Sequence, residues 1–237
     1  MRRKSFEVDP CFNPAEYGDG AASIYDLLYP NVESGLTSCL AGLARGGIAL
    51  DLGIGTGRVA IPLRRLGVEV HGIEASSSMI AALRASAEGA TIPVLHGDFS
   101  RDALGRSPYA LIYSLVSTLF LLPSLALQES CLMNIARHLV HDGVFVSEAY
   151  GDAATYPEPQ SASIPIFTSS GVVPYRVTTL MPPLGLFDEM AARAGLRLVD
   201  RWSNWAREPY DPTGKRHLSV YARADGGIMG SGHVNST

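Results

Sequence analysis

The sequence predicts an α/β fold: a mostly parallel sheet with an antiparallel edge strand, helices on both faces and a small inserted β-hairpin or lid. Three observations predict it. Short apolar runs alternate with helical stretches from residue 36 to about 150, the rhythm of right-handed strand–helix–strand units. A glycine-rich turn, Asp51-Leu52-Gly53-Ile54-Gly55-Thr56-Gly57, joins the first strand to the first helix. Six prolines then break the rhythm between residues 151 and 183, and a central strand does not tolerate proline.

Residues 48–52 read as a buried strand ending in the glycine turn. Val59, Ala60, Leu63 and Leu66 give the next helix, stopped by Gly67. Residues 68–73 are the second strand, and Ser77 or Ser78 caps a helix running through Ile80 and Leu83 to Ala87. Residues 92–95 and 110–116 are the third and fourth strands. Leu127, Cys131, Ile135 and Leu139 recur every four residues, a helix ended by Gly143, and residues 144–149 are the fifth strand.

Within the insert, the runs around Ile166-Phe167 and over residues 175–180 make a hairpin over the carboxyl edge of the sheet. Residues 184–194 form a last helix, with Gly195 after it. Residues 196–205 and 217–223 are two further strands, antiparallel at one edge. The chain thus divides into an N-terminal arm and lid helix (1–35), a ligand-binding core (36–150), an inserted lid or substrate segment (151–183), a C-terminal helix with edge strands (184–223) and a Gly/Ser-rich disordered tail (224–237).

Composition narrows the function. The 237 residues are 46% hydrophobic and 18% charged, a globular balance, with 19 Lys+Arg against 23 Asp+Glu for a net charge of −4. That mild acidity speaks against a nucleic-acid binder working through a basic surface. The longest apolar run, residues 115–122, falls well short of the ~18 residues a membrane span needs. The opening Met-Arg-Arg-Lys-Ser-Phe-Glu has no apolar segment behind its basic residues, so a cytoplasmic protein is expected. Cys11, Cys39 and Cys131 are far apart and none lies in a CxxC, so neither a metal site nor a disulfide framework is expected.

The glycine turn lies where an open α/β sheet places its ligand. A dinucleotide fingerprint, G-x-G-x-x-G, would put its third glycine at position 58, which is Arg; no Gly-Lys-Ser/Thr follows to cradle phosphate. Glu74 ends the second strand, where an acid takes both ribose hydroxyls of an adenosine. Gly97-Asp98-Phe99 follows the third strand: a carboxylate for the adenine amino group beside an aromatic for its ring. Together these ask for an adenosine ligand without phosphates.

In these features, and in Ala136-Arg137-His138-Leu139 leading into Asp142-Gly143, residues 17 to about 150 resemble the class I S-adenosylmethionine (SAM)-dependent methyltransferases. Tyr17 and Tyr25-Asp26-Leu27-Leu28-Tyr29 make the resemblance greatest to the small-molecule N-methyltransferases of antibiotic pathways, including amino-sugar N,N-dimethyltransferases. Ile54 departs from the cysteine or alanine common there. The resemblance implies a Rossmann-like class I methyltransferase sheet, SAM as cofactor with S-adenosylhomocysteine as product, and a small-molecule acceptor in secondary metabolism. It also implies that Gly53, Gly55 and Gly57 line the methionine and ribose, with Asp51 supporting the loop and the amino group. Glu74 would bind the ribose, Ala75 and Met79 flank the adenine, and Asp98 and Phe99 meet its N6 and ring. Leu115, Val116 and Ser117 would face the amino-acid portion, and Tyr17 and Tyr29 close over it.

Other residues have plainer readings. Tyr25 is expected in the core, His138 and His141 at a helix end that suits a cation, and the Arg64-Arg65 pair on a solvated face. Trp202, Trp205, Tyr210, Tyr175, Phe167 and Tyr156 form either an aromatic substrate pocket or, for the tryptophans, structural packing. An amine acceptor need only arrive neutral, whereas an oxygen acceptor more often wants a dedicated base. No His-Asp pair announces one, which favours nitrogen; Tyr29, Glu148 and His217 are the candidates, Glu148 foremost as the end of the fifth strand. The alternatives are a cyclising enzyme that retains SAM, an O-methyltransferase and an NAD-dependent oxidoreductase. The insert and leading helix are surfaces for a possible homodimer.

Overall fold

The computed structural model describes residues 12–105, 108–150 and 158–226. Two short helices, α1 (Glu16–Ala21) and α2 (Tyr25–Leu28), replace the single leading helix that the sequence predicts, and α3 (Leu36–Ala44) follows. Then come β1 (Ala49–Leu52), α4 (Ala60–Arg65), β2 (Val70–Glu74), α5 (Ser77–Arg84), β3 (Val94–His96), β4 (Tyr109–Ser114), α6 (Leu125–His138) and β5 (Leu139–Tyr150). The chain ends in β6 (Gln160–Thr168), β7 (Gly171–Thr179), α7 (Leu184–Arg193), β8 (Leu196–Trp202) and β9 (Arg216–Arg223).

Seven strands form one sheet in the order β3-β2-β1-β4-β5-β9-β8. β1 to β5 pair in parallel; β9 runs antiparallel to β5, and β8 antiparallel to β9, so the reversal sits at the edge the sequence predicts. The central strands are nearly continuous in apolar residues because both faces are covered. Ala49, Leu111, Tyr113, Val144 and Val146 pack with α3 and α4 on one face. Leu50, Ile112, Phe145 and Tyr221 pack with α6 and α7 on the other. Cys39 and Cys131 are buried in these opposite layers, and Cys11 lies outside the described residues.

Local differences have local causes. Ser76, not Ser77 or Ser78, caps α5, its Oγ accepting the Met79 N–H at 3.1 Å. That helix ends at Arg84, short of Ala87, and a 3-10 turn spans Gly89–Thr91. Gly143 does not end α6: the helix stops at His138, β5 begins at once, and Gly143 lies inside it. A side chain there would press on the Tyr109 carbonyl at 2.9 Å, where the β4–β5 register shifts. β4 stops at Ser114, so residues 115–117 form a turn of their own. The insert is a hairpin, β6 against β7, closed at the Thr168↔Gly171 pair. The Leu180 N–H donates to the Phe120 carbonyl at 2.8 Å and anchors it to the main body. Tail residues from 227 on lie outside the described residues, as does Tyr156.

Candidate active site

A cleft of about 1190 Å³ opens at the carboxyl ends of β1, β2, β4 and β5. Its floor holds Gly53 and Gly55 from the glycine turn, Glu74, Asp98 and Phe99, the turn after β4, and Glu148. Tyrosines of the N-terminal arm and residues 174–180 at the end of the hairpin line its other walls.

The glycine turn owes its shape to left-handed backbone at Gly53 (φ 72°), Gly55 (φ 57°) and Gly57 (φ 82°). A side chain on Gly53 would meet the Thr118 methyl at 2.6 Å. Gly57 does a different job from the one the resemblance implies: it faces Leu83 and Ile61 outside the cleft and lets α5 pack against the turn. Glu74 holds the turn from the neighbouring strand, Oε2 accepting the Gly55 N–H and Oε1 the Ser76 N–H, each at 2.9 Å. Burial pushes its carboxyl up, against the pull of those amides. Asp51 lies beneath the loop, 6% exposed and off the cleft lining. Burial pushes it up to about 7, opposed by the Tyr113 hydroxyl and Arg58.

Ala75, Met79, Asp98 and Phe99 all line the cleft. Asp98 Oδ1 accepts the Ser100 N–H and hydroxyl at 2.8 and 2.7 Å, which leaves Oδ2, 3.8 Å from Arg101, with acceptor capacity to spare. Ser76 also donates to Asp19 Oδ1 at 2.6 Å, fastening α1 across this end of the cleft, and Thr56 donates to Asp26 Oδ1 at 2.8 Å, fastening α2 to the turn.

The turn after β4 is strained. Val116 (φ 52°) and Ser117 (φ 62°) are both left-handed, a conformation a β-branched residue resists. Glu148 imposes it: Oε2 accepts the Val116 N–H at 2.9 Å, and its carbonyl accepts the Ser117 N–H at 3.0 Å. Ser117 Oγ in turn accepts the Tyr150 N–H at 3.0 Å. Val116 and Ser117 line the cleft, whereas the Leu115 side chain turns into the core. Glu148 therefore faces the cleft but is no free base. Its Oε1 takes Arg216 Nη2 at 2.6 Å and the Tyr150 hydroxyl at 3.0 Å, and Arg216 also pairs with Glu33 at 2.7 Å.

Three phenols meet above the floor. The Tyr175 hydroxyl, from β7, lies 3.1 Å from that of Tyr17 and 3.4 Å from that of Tyr29. Burial and the neighbouring Tyr175 push Tyr17 and Tyr29 up, so both stay protonated at neutral pH. Tyr25 packs against the cluster of Ala21, Ile24 and Met79 and also lines the same wall, its ring tilted 44° to that of Tyr29 at 5.0 Å. Arg58 sits beside them, its Cζ 5.6 Å from the Tyr29 ring.

Other expected residues lie elsewhere. His217 is buried against Tyr210 with Nδ1 3.0 Å from Ser219 Oγ, off the cleft, and burial pushes it down to about 4. Trp202 and Trp205 pack in the core, Tyr210 packs beneath Arg201, and Phe167 is 80% exposed on the hairpin, so Tyr175 alone of the described aromatic candidates lines the cleft. The sequence reading missed Tyr175's partnership with the arm, Arg58, and the Asp19–Ser76 and Asp26–Thr56 latches. No periodic signal marks them, because each joins segments 27 to 158 residues apart.

A family model fits the carboxyl-edge cleft with its glycine turn: residues 49–143 match a methyltransferase domain. That match supports a SAM-dependent methyltransferase. The chain is similar to the CcbJ methyltransferase from Streptomyces caelestis, 28% identical over 90% of this chain and 100% of that one, with a TM-score of 0.79. A TehB-like SAM-dependent methyltransferase from Corynebacterium glutamicum shares the fold at 23% identity (89% and 100% of the chains, TM-score 0.64). So does the glycopeptide N-methyltransferase MtfA complexed with SAM, at 17% (86% and 87%, TM-score 0.59). No curated protein matches the sequence. The methyltransferase takes SAM as its cofactor, and the residues present fit it. A side chain would fill the glycine cradle at Gly53, and Glu74 and Asp98 keep acceptor positions for hydroxyl and amino donors. Among the described residues no helix is long and apolar enough to cross a membrane.

Proposed function

We propose that this methyltransferase acts on a nitrogen of a small, polar acceptor, such as an amino sugar, in cytoplasmic secondary metabolism. The observation that carries the reading is the state of the cleft's proton acceptors. Glu148 is held by Arg216, Tyr150 and the Val116 amide, and Tyr17 and Tyr29 are kept protonated. An alcohol would find Glu148 and the two lid phenols already engaged, whereas an amine that arrives neutral needs no base. The size of the cleft supports a small acceptor: about 1190 Å³ must hold both cofactor and acceptor, and typical ligand pockets run to roughly 1,000 Å³. Glu148, Tyr150, Arg176 and Thr178 make part of its lining polar.

In this reading Glu74 takes the ribose hydroxyls, Asp98 the adenine amino group and Phe99 its ring, with Ala75 and Met79 flanking. Gly53 and Gly55 carry the ribose and methionine. Bound SAM supplies a methyl on a sulfonium, already activated for displacement. The protein's share is to aim the acceptor lone pair, about 3 Å from that carbon, and to exclude water. The N-terminal arm and hairpin form the lid, and the product ammonium gives up its proton to solvent. The test is incubation with SAM and paired amine and alcohol acceptors, reading S-adenosylhomocysteine and the methylated product. Turnover of the amines alone is expected; methylated alcohols at comparable rates would reject the nitrogen assignment.

A further inference from the structure

Arg58 is a cation in the cleft, and the acid that feels its charge, Asp51, lies buried beneath the glycine turn. Arg58 lines the cavity, follows the glycine turn by one residue and is partly buried. Its Nη1 donates to the Asn31 carbonyl at 3.3 Å and its guanidinium lies over the Tyr29 ring. Its Nε is buried with no hydrogen-bond partner. Among the described residues no carboxylate forms an ion pair with it, while Arg216, deeper in the same region, has two. A buried guanidinium donor left unpaired costs free energy that a ligand anion would recover, and a guanidinium matches a carboxylate in two parallel hydrogen bonds.

We propose that Arg58 reads the carboxylate at the amino-acid end of the cofactor, and so makes the site specific for ligands that carry that group. The proposal rests on the SAM reading of the cleft. The position of Arg58 in the cleft supports it: Gly53 and Gly55 bring backbone, not charge, to this end, and Asp51 beneath them is an acid that would repel an anion when ionised. The cleft's other lining arginine, Arg176, is exposed on β7. The Tyr25 hydroxyl hydrogen-bonds the Arg58 side chain and the Tyr29 ring lies against its guanidinium, two contacts that hold it beside the cleft.

The experiment is calorimetric titration of the wild-type chain, Arg58→Met and Arg58→Lys with two ligands. S-adenosylhomocysteine has the carboxylate; 5′-methylthioadenosine keeps the adenosine and thioether but lacks the amino-acid end. Arg58→Met should weaken S-adenosylhomocysteine roughly 10- to 100-fold, the loss of a charge-assisted hydrogen bond, and leave 5′-methylthioadenosine unchanged. Arg58→Lys should fall between, keeping the charge without the fork. Equal weakening of both ligands by Arg58→Met would overturn the proposal, since the residue would then merely support the fold. So would no weakening of either, or a selective loss on Arg176→Met instead. Wild-type protein that binds 5′-methylthioadenosine as tightly as S-adenosylhomocysteine would overturn the proposal but keep the adenosine site; binding neither would overturn the cofactor reading as well.

Discussion

Glu148 Oε2 accepts the backbone N–H of Val116 at 2.9 Å and holds that valine in a left-handed conformation at the edge of the cleft. One carboxylate thus shapes the turn after β4 with one oxygen and anchors Arg216 with the other. Glu148→Ala leaves Arg216 with Glu33 alone and releases the strained turn. The expected cost is about 3 kcal/mol, the low end for breaking a buried pair because Glu33 remains. Guanidinium denaturation measures it, and an unchanged midpoint would refute the clamp.

Glu74→Ala removes an acceptor for the ribose and frees the Gly55 and Ser76 amides. Binding of S-adenosylhomocysteine and 5′-methylthioadenosine should weaken together, by about 1.5–3 kcal/mol in titration calorimetry. Loss of only one of them would take Glu74 out of the adenosine site.

Tyr175→Phe keeps the ring against Tyr17, with centroids 6.1 Å apart, and deletes the hydroxyl shared with Tyr17 and Tyr29. A lid tied by that hydroxyl should loosen, with S-adenosylhomocysteine bound about fivefold more weakly, as for one neutral hydrogen bond. The thermal midpoint should barely move. A large drop in midpoint with unchanged affinity would assign Tyr175 to stability alone.

Gly57→Ala puts a methyl on left-handed backbone and against Leu83. Strain and overpacking together should cost about 3 kcal/mol, read as a lowered thermal midpoint. Gly67→Ala is the control: its backbone is equally left-handed, but no atom lies within 4 Å of the added carbon, so only the conformational part, about 1–2 kcal/mol, should appear.

His217 and Asp51 set opposite pH dependences. His217 titrates at about 4 in the fold against 6.5 ordinarily. The unfolded chain therefore takes up a proton first, and stability falls as pH drops from 6.5 towards 4, by up to about 3 kcal/mol. Asp51, raised from 3.8 to about 7, binds its proton more tightly in the fold. Its contribution is present below 3.8 and lost as pH rises to 7. His217→Gln isolates the first effect: relative to wild type, the variant should gain about 3 kcal/mol between pH 7 and pH 4. A difference that stays flat across that range would show that the imidazole is not held neutral by burial.

Much of the fold was legible because its determinants are local. Apolar runs covered on both faces mark β1, β2, β4 and β5, and positive-φ Gly67 and Gly195 close their helices. Boundaries moved where tertiary contacts outrank local signals. Gly143 reads as a helix stop, yet it serves the β4–β5 register, and Ser76 outcompetes its neighbours as a cap because its extended backbone aims Oγ at the Met79 amide.

By itself the sequence determined which residues gather at the carboxyl edge of the sheet. The glycine turn, Glu74 and Asp98 each follow a strand, and a parallel sheet brings the carboxyl ends of its strands to one edge, so chain order is enough to place them together. Only the tertiary structure decided which other side chains share that edge. Ala149 pairs with His217 and Glu148 with Leu218; because side chains alternate along a strand, that register sends Glu148 to the cleft and His217 to the opposite layer. Tyr175 meets Tyr17 and Tyr29 across about 150 residues of chain through the hairpin. Periodicity along a sequence reports which face a residue takes within its own element, and it carries no information on which distant element packs against that face.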